Sequence, residues 1–320
     1  MTERLRDERW AAPKPARHPL GGSADVPVGR GAVDLTRPDV EYVLNAAPPA
    51  LKPRALPAWR RVLRHDGVRR GIVLVVLAAV WEALARWQAN DLLLPTFAQT
   101  LRAFVEGVAS GELLVKTGIS LSVLLKSYVI GIAAAFVLTS LAAATRVGRD
   151  LLSTLTAMFN PLPAIALLPV ALLWFGLGQG SLMFVLVHSV LWPLSLATHA
   201  GFQAVPETLR MAGRNYGLGG LRYVLQILVP AALPAILSGL KISWAFAWRT
   251  LIAAELVFGA SSGKGGLGWY IFQNRNELYT DRVFAGLAMV VVIGLVVEAL
   301  VFRTLERLTV QRWGMQRTNQ

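Results

Sequence analysis

The chain has 320 residues, of which 54% are apolar and only 16% are charged, well below the roughly 25% charged residues of a soluble domain. The apolar residues collect in runs close to the ~20 residues that cross a bilayer, which excludes an ordinary soluble protein. The formal net charge of +13 therefore indicates basic loops beside a membrane and no nucleic-acid partner, and the absence of cysteine excludes disulfides and thiolate metal sites.

Residues 1–70 are predicted to form a proline-rich, basic and disordered cytoplasmic tail. Nine of the 17 prolines lie between Pro13 and Pro57, with no sustained apolar period, a composition typical of disorder. Basic residues cluster where the tail meets the first apolar run: Lys52, Arg54, Arg60, Arg61, Arg64, Arg69 and Arg70. The positive-inside rule puts this cluster in the cytoplasm, next to anionic membrane lipid.

Six segments are predicted to cross the membrane as helices, which makes the fold class all-α and polytopic. In chain order they are residues 72–87, 113–144, 151–175, 182–203, 231–259 and 283–302. The first segment and an outer amphipathic stretch at 95–111 make up a region of their own, residues 71–112. A glycine-rich outer loop is predicted at 260–282, and a cytoplasmic tail at 306–320 ends the chain.

The third segment, 151–175, is predicted to be a broken helix. It carries Pro161, Pro163 and Pro169, and prolines interrupt the hydrogen bonding of a helix. Such breaks are tolerated in a membrane where neighbouring protein satisfies the freed backbone groups. The charged residues just before it, Arg146, Arg149 and Asp150, are predicted to form a short inner loop.

The distribution of basic residues predicts the orientation. The inner segments hold 16 lysines and arginines: seven in the tail from Lys52, two in the first inner loop, three in residues 205–230 and four after residue 302. The outer segments hold five: Arg102, Lys116, Lys264, Arg275 and Arg282. This excess indicates a membrane protein with six spans and both termini in the cytoplasm.

Residues 205–230 are too polar to span a membrane and too regular for a plain loop. Four apolar residues share one face of a helix: Leu221, Val224, Leu225 and Leu228. A turn between two short helices is marked by Gly217, Gly219 and Gly220. Pro230 is then predicted to restart the chain as a membrane helix. Such an element can transmit movement from a soluble partner into the membrane.

This segment resembles the ATPase-coupling motif of ABC importer permeases, Glu-Ala-Ala, three residues, Gly, nine residues, Ile-x-Leu-Pro. Gly217 matches the motif glycine, and nine residues later the chain continues with Ile227 and, three further on, Pro230. The register places Met211, Ala212 and Gly213 on the Glu-Ala-Ala positions.

The departure from the motif lies at Met211, where the family has a glutamate. Any ionic contact of that glutamate is lost here or moves to Glu207 or Arg210. The alternative interpretation of this spacing is an ordinary amphipathic inner loop. Such a loop needs no partner subunit.

Three further segments strengthen the resemblance and narrow it to permeases for nitrate, sulfonate, taurine and bicarbonate. Residues 160–178 read NPLPAIALLPVALLWFGLG, residues 247–255 read AWRTLIAAE, and residues 265–281 contain GGLG and NRNELYTD. The resemblance covers most of residues 113–313. It implies a type I ABC importer permease domain over 113–305, with the coupling segment at 205–230.

The resemblance also implies the remaining subunits. Two ATPase subunits would dock under the coupling segments, a second permease copy would complete the path, and a periplasmic or lipid-anchored binding protein would deliver the substrate, a small oxyanion such as a sulfonate, nitrate, taurine or bicarbonate. The alternatives are a permease of this class for another small organic solute, or a non-ABC membrane protein such as a secondary transporter or membrane enzyme.

No enzyme site is expected in the chain itself. The run from Gly259 through Gly263, Lys264 and Gly265 is one residue shorter than a P-loop, and Gly265 replaces the required Ser or Thr. No catalytic triad, metal-ligand spacing or carboxylate pair occurs in the sequence. We expect no catalytic residues, no metal and no cofactor, and ATP hydrolysis on a separate subunit.

Polar and ionisable residues inside spans are the candidates for the translocation path, because burying them in a membrane is costly. The candidates are Arg249, Glu255, Trp248 and His188. Arg249 would meet an anionic substrate or pair with a neighbouring carboxylate to hold the bundle. Glu255 would serve the bundle in the same way, and His188 would be a packing residue if it does not line the path.

Overall fold

The computed structural model of the chain describes residues 66–258 and 265–311. Every regular element in these ranges is helical, which confirms the predicted all-α class. The helices are α1 (Asp66–Gln88), α2 (Phe97–Ala109), α3 (Glu112–Ala144), α4 (Arg146–Phe159), α5 (Leu168–Phe175), α6 (Gln179–Gln203), α7 (Glu207–Asn215), α8 (Gly220–Ala231), α9 (Leu233–Phe258), α10 (Leu267–Asn276) and α11 (Thr280–Val296), which continues to Gln311. The tail predicted at 1–70 lies outside the described residues as far as residue 65.

Three helices of the described ranges are long and apolar enough to cross a bilayer: α3, α6, and α11 with its continuation to Thr309. Two bent pairs also meet this standard when each is taken as one span: α4 with α5, bent by 89°, and α8 with α9, bent by 81°. These elements account for up to five of the six predicted spans. The sixth would be α1, and its role as a span stays a prediction.

The outward faces of these helices are apolar. On α1, Leu74 and Val75 are 66% and 69% exposed, and α11 exposes Val291 and Leu295 in the same way. Water-soluble monomers rarely expose contiguous apolar surface on this scale, whereas lipid tails surround it readily. The exposed surface therefore supports a membrane protein independently of the composition.

Helix α6 is central and is buried along much of its length between α3 and α9. Glycines permit the close approach. A Cβ on Gly131 of α3 would lie 2.7 Å from Val190 of α6, and a Cβ on Gly239 of α9 would lie 2.7 Å from Ala197 of α6. Small residues at such crossings let membrane helices pack without a hydrophobic driving force. The α3–α6–α9 layer is therefore a tightly fitted unit.

The short inner loop predicted at Arg146, Arg149 and Asp150 is instead the first turn of α4. The side chain of Thr145 accepts a hydrogen bond from the backbone N–H of Gly148 at 2.9 Å and so caps the new helix. Because the cap follows α3 immediately, the chain changes direction at one residue. The loop prediction was wrong because Thr145 alone connects α3 to α4 and caps α4, so no separate loop is needed.

The predicted break in the third segment is present. Helix α4 ends at Phe159 and a 3₁₀ turn begins at Ala164, so the interruption coincides with Pro161 and Pro163, which have no backbone N–H to donate. Pro169 lies in the first turn of α5, where the missing N–H costs nothing. The 89° bend therefore follows from the proline spacing.

The outer segment predicted as a loop at 260–282 contains helix α10, and α11 begins at Thr280 rather than at residue 283. Three apolar residues of α10 are buried: Leu267, Tyr270 and Ile271. Their i, i+3, i+4 spacing matches a helix face but covers little more than one turn. The loop prediction was wrong from residue 267, because α10 folds by packing on the bundle. Residues 259–264 lie outside the described ranges.

Candidate functional site

The coupling segment consists of α7, a turn and α8. The turn has the hydrogen bonds of a Schellman motif: the N–H of Leu218 donates to the carbonyl of Gly213 at 3.1 Å, and the N–H of Gly217 donates to that of Arg214 at 2.9 Å. Gly217 has φ +71°, the left-handed region that glycine adopts without strain. The predicted pair of helices with a glycine turn is therefore present.

The inner face of α7 packs closely on α8. A Cβ on Gly213 would lie 3.0 Å from Ile227 and 3.1 Å from Tyr223, so that only a glycine fits without movement of these side chains. Arg210 also faces inward, where its Nη2 donates to the carbonyl of Phe202 at 2.6 Å and its Nε to that of Val205 at 3.1 Å. Arg210 thus caps the C-terminal end of α6.

The outer face of α7 carries the remaining predicted residues. Glu207, Met211 and Ala212 are exposed, and the Glu207 carboxylate lies 3.8 Å from Arg210. The guanidinium of Arg210 donates its hydrogen bonds to the end of α6. Of the two ionisable residues predicted here, Glu207 is therefore the one left exposed to a partner subunit.

Pro230 does not restart the chain, contrary to the prediction. It lies inside α8, and the break comes at Ala232, with Pro234 in the first turn of α9. The residues before it, Val224–Leu228, form a π turn. A turn of this width lets the helix pass a proline that cannot donate the usual hydrogen bond. Helix α8 consequently meets α9 at a bend of 81°.

Large apolar side chains remain exposed on α7, the turn and α8, a surface that we call the coupling surface: Leu209, Met211, Tyr216, Leu221 and Leu225. Tyr216 is 85% exposed. This segment is polar in sequence and carries Arg214 and Arg222 among these apolar side chains. Apolar groups rimmed by charge are typical of a protein docking site.

A cavity of about 520 Å³ lies where the α4–α5 bend faces α6 and α9; we call it the central cavity. Most of its wall is apolar. Four polar side chains also line it: Asn160, His188, Ser189 and Thr250. The hydroxyl of Ser189 lies 3.1 Å from that of Thr250, which links α6 to α9 at the cavity wall.

Aromatic contacts fix His188 within the central cavity. Phe159 stacks on Trp192 with ring centroids 5.3 Å apart, and the His188 ring meets both edge-on at 6.2 and 6.0 Å. Among the described residues, both ring nitrogens of His188 and Nε1 of Trp192 are buried without a hydrogen-bond partner. Buried polar atoms normally have partners, so these groups are unsatisfied within the described protein.

Two other predicted path residues lie away from the central cavity. Trp248 is buried, and its indole N–H donates to the carbonyl of Val290 at 3.3 Å. The Nε of Arg249 donates to the carbonyl of Ala245 at 3.1 Å, and its guanidinium lies 4.8 Å from the centre of the Phe246 ring. No ion pair involves Arg249 within the described ranges. Trp248 therefore joins α9 to α11, whereas both described contacts of Arg249 are with residues of α9 itself.

Glu255 joins three helices near the C-terminal end of α9. The hydroxyl of Ser120 on α3 donates to its carboxylate at 2.8 Å, and the backbone N–H of Gly268 on α10 donates at 2.7 Å. The same Ser120 oxygen accepts the N–H of Leu267 at 2.8 Å. Glu255 is 3% exposed, so these donors stand in for water. The arrangement anchors α10.

The sequence did not single out three residues of the central cavity: Trp192, Ser189 and Thr250. Their neighbours along the chain are mostly apolar, and nothing in the linear pattern separates them from packing residues. Asn160 was quoted for its resemblance to the family but not as a path residue. Its place between the end of α4 and Pro161 was the one usable signal.

Comparison with known proteins gives a consistent family. Residues 127–309 match the family described as binding-protein-dependent transport system inner membrane component. A putative ABC transporter permease of Methanocaldococcus jannaschii is 31% identical over 71% of this chain and 86% of its own length. The putative aliphatic sulfonates transport permease SsuC of Escherichia coli is 30% identical over 75% and 89%, and the nitrate import permease NrtB of Synechocystis is 28% identical over 73% and 86%. The chain therefore belongs to the binding-protein-dependent inner membrane components, the permease subunits of ABC importers.

Proposed function

We propose that this permease forms half of the translocation path for a small oxyanion such as a sulfonate, nitrate, taurine or bicarbonate. The names of its relatives, aliphatic sulfonates and nitrate transport among them, support this substrate class, as does a taurine permease 31% identical over half of the chain. In this proposal two ATPase subunits hydrolyse ATP, a second permease copy completes the path, and a periplasmic or lipid-anchored binding protein delivers the substrate.

The observation that carries the proposal is the coupling surface. Helices α7 and α8 and the turn between them present exposed apolar side chains, and α7 is tied to α6 through Arg210. A soluble subunit that docks on this surface would move α7 and α8 together, because Gly213 lets them pack closely. Exposed apolar groups with a charged rim fit such a subunit.

The central cavity supports the choice of an anionic solute. It lies beside the bend at Asn160 and Pro161, and His188 and Trp192 bring ring N–H groups without protein partners. Neutral N–H donors in an apolar wall can hold an oxyanion without a fixed opposite charge, which keeps binding weak enough for release. In this proposal Arg249, Trp248 and Glu255 hold the bundle around the path.

The proposed orientation places both termini in the cytoplasm, with α7 and α8 on the inner side. Sixteen basic residues on inner segments against five on outer ones support it. With α1 as a span, six helices cross the inner membrane. Labelling of a single cysteine introduced at Ser262, in a chain that has no cysteine, from the outside only would support this topology, and labelling from the inside only would refute it.

The test of function is reconstitution. The chain is co-expressed with a candidate ATPase and a candidate binding protein from the same organism, purified, and assayed for uptake in proteoliposomes. ATP-dependent uptake of a sulfonate, nitrate, taurine or bicarbonate is the expected result. ATP-dependent uptake of a different organic solute alone would correct the substrate class. Uptake driven by an ion gradient without ATP would identify a secondary transporter and refute the proposal.

A matched pair of variants tests the coupling surface. Tyr216→Ser and Trp87→Ser each remove an aromatic side chain that is 85% exposed, one on the coupling surface and one near the end of α1. Tyr216→Ser is expected to lower the amount of ATPase that copurifies, whereas Trp87→Ser is expected to retain it. Equal retention in both variants would contradict docking at this surface.

A further inference from the structure

A second cavity, of about 290 Å³, lies where the coupling segment meets the membrane helices; we call it the junction cavity. It is bounded by side chains from the inner ends of α3 and α6, the first turn of α4, and both helices of the coupling segment. Three arginines line it, Arg149 from α4 and Arg210 and Arg214 from α7. Packing of the helices alone does not require three guanidinium groups around one cavity.

The positive charge of the junction cavity is only partly balanced. The Glu207 carboxylate lies 3.8 Å from both Arg210 and Arg214, which is longer than a tight hydrogen-bonded pair. One carboxylate can offset one of the three arginines. Within the part of the chain that the structure describes, no ion pair involves Arg149. The cavity therefore has a surplus of positive charge, and an anion would be attracted to it.

Two buried polar atoms belong to residues that line the same cavity. The hydroxyl of Tyr223 on α8 and Nδ1 of His199 on α6 are buried and have no hydrogen-bond partner among the described residues. The Nε2 of His199 lies 2.9 Å from the side-chain amide of Gln203, so only one side of the ring is engaged. A buried hydroxyl without a partner is unfavourable, and a bound ligand would supply what is missing.

We propose that the junction cavity is an oxyanion-binding site on the cytoplasmic side, occupied by a free oxyanion such as phosphate or by the phosphate of an anionic lipid headgroup. Guanidinium groups match the planar spacing of phosphate and sulfonate oxygens, and basic pockets between membrane helices on the cytoplasmic side bind headgroups. A bound anion would bridge α4 and α7 and so hold the coupling segment against the bundle. The site goes beyond the proposed function, since its occupancy is measurable in the permease without any transport.

The primary experiment measures thermal unfolding of the purified full-length chain in neutral detergent as inorganic phosphate is added. A ligand that binds the native state raises Tm, and sodium chloride at matched ionic strength provides the baseline. Arg149→Gln removes one charge from an exposed position and is expected to weaken apparent phosphate affinity about ten-fold. Arg303→Gln, an exposed arginine of the α11 continuation, is the matched control and is expected to leave it unchanged.

Tyr223→Phe keeps the ring that packs on Gly213 and removes only the hydroxyl. Because that hydroxyl has no partner, the variant is expected to keep or raise the Tm of the parent chain without phosphate and to lose part of the phosphate-induced rise. This result would separate ligand binding from folding, since loss of a structural contact would lower the Tm without phosphate and leave the phosphate-induced rise unchanged.

The second arm distinguishes the two sources of the anion. The chain is purified with phosphatidylglycerol or with phosphatidylcholine, and bound lipid is counted by native mass spectrometry. Retention of phosphatidylglycerol by the parent and Arg303→Gln, but not by Arg149→Gln, would identify the headgroup as the occupant. A phosphate-dependent Tm rise with no retained lipid would identify a free anion. No response in either arm, or an equal response in Arg149→Gln and the parent, would overturn the site.

Discussion

Replacement of Gly217 by valine isolates the turn of the coupling segment. Gly217 has φ +71°, a conformation that costs a residue with a side chain about 1–2 kcal/mol, and β-branching makes valine a poor occupant of it. A Cβ there would meet no atom within 4 Å. The whole penalty therefore arises in the backbone of the turn and not from a clash with the bundle.

A penalty of that size lowers the ratio of native to non-native turn about 5- to 30-fold, and the apparent affinity for any subunit that needs this turn falls in proportion to the fraction of native turn that is left. We expect Gly217→Val to insert in the membrane at the level of the parent chain, to copurify with less ATPase, and to lose most ATP-dependent uptake. The assays are quantitative pull-down of the ATPase and uptake in proteoliposomes.

Gly219→Val is the matched control. Gly219 has φ −141° and ψ 165°, an extended conformation that valine favours, and its Cβ would also meet no atom within 4 Å. We expect this variant to retain ATPase and uptake. Normal ATPase binding and uptake in Gly217→Val would refute the coupling role of this turn, and equal losses in both variants would show that added bulk, and not backbone conformation, is responsible.

Three further variants test the remaining assignments. Glu255→Ala leaves the N–H of Gly268 without its acceptor, which costs about 1–3 kcal/mol, so the melting temperature in detergent should fall; an unchanged value would contradict the anchoring of α10. Trp248→Phe loses the hydrogen bond to Val290, worth about 0.5–1.5 kcal/mol, and should reduce stability slightly while uptake persists, whereas loss of uptake at normal stability would return Trp248 to the path. His188→Phe should reduce substrate uptake and leave ATPase copurification intact, and full uptake in this variant would exclude His188 from the path.

The parts of the fold that were predicted correctly depend on neighbouring residues. Pro161 and Pro163 lie close together inside a long apolar segment, where each removes a backbone donor, so the break in the third segment could be predicted from the sequence. The glycines from Gly217 to Gly220 marked a turn for the same local reason. Helix α10 was missed because its folding depends on burial of Leu267 and its neighbours against the bundle, and packing of that kind leaves only a brief pattern in the sequence.

The candidate site was predictable to a smaller extent for the same reason. Glu255 was recognised as an ionisable residue inside a span, but its partner Ser120 lies 135 positions away, and no spacing rule connects them. His188 was selected without any indication that Trp192 lies beside it in a cavity. The role of Arg210 at the end of α6 also depends on tertiary geometry, so the sequence suggested an outward contact where the structure shows an inward one.

The two faces of α7 differ in how freely they can change when this permease is paired with a different ATPase subunit. The face of α7 that packs on the protein is constrained by its own fold, because a Cβ on Gly213 would displace side chains of α8 and Arg210 donates to the end of α6. The outer face has no such constraint, and there the chain has Met211 at the position where the family motif has a glutamate. If α7 docks the ATPase as proposed, an ATPase matched to this permease receives a thioether where the family motif supplies a carboxylate. Transplanting the whole of α7 from a relative would change the choice of ATPase while preserving the fold, provided that the glycine and the arginine are kept.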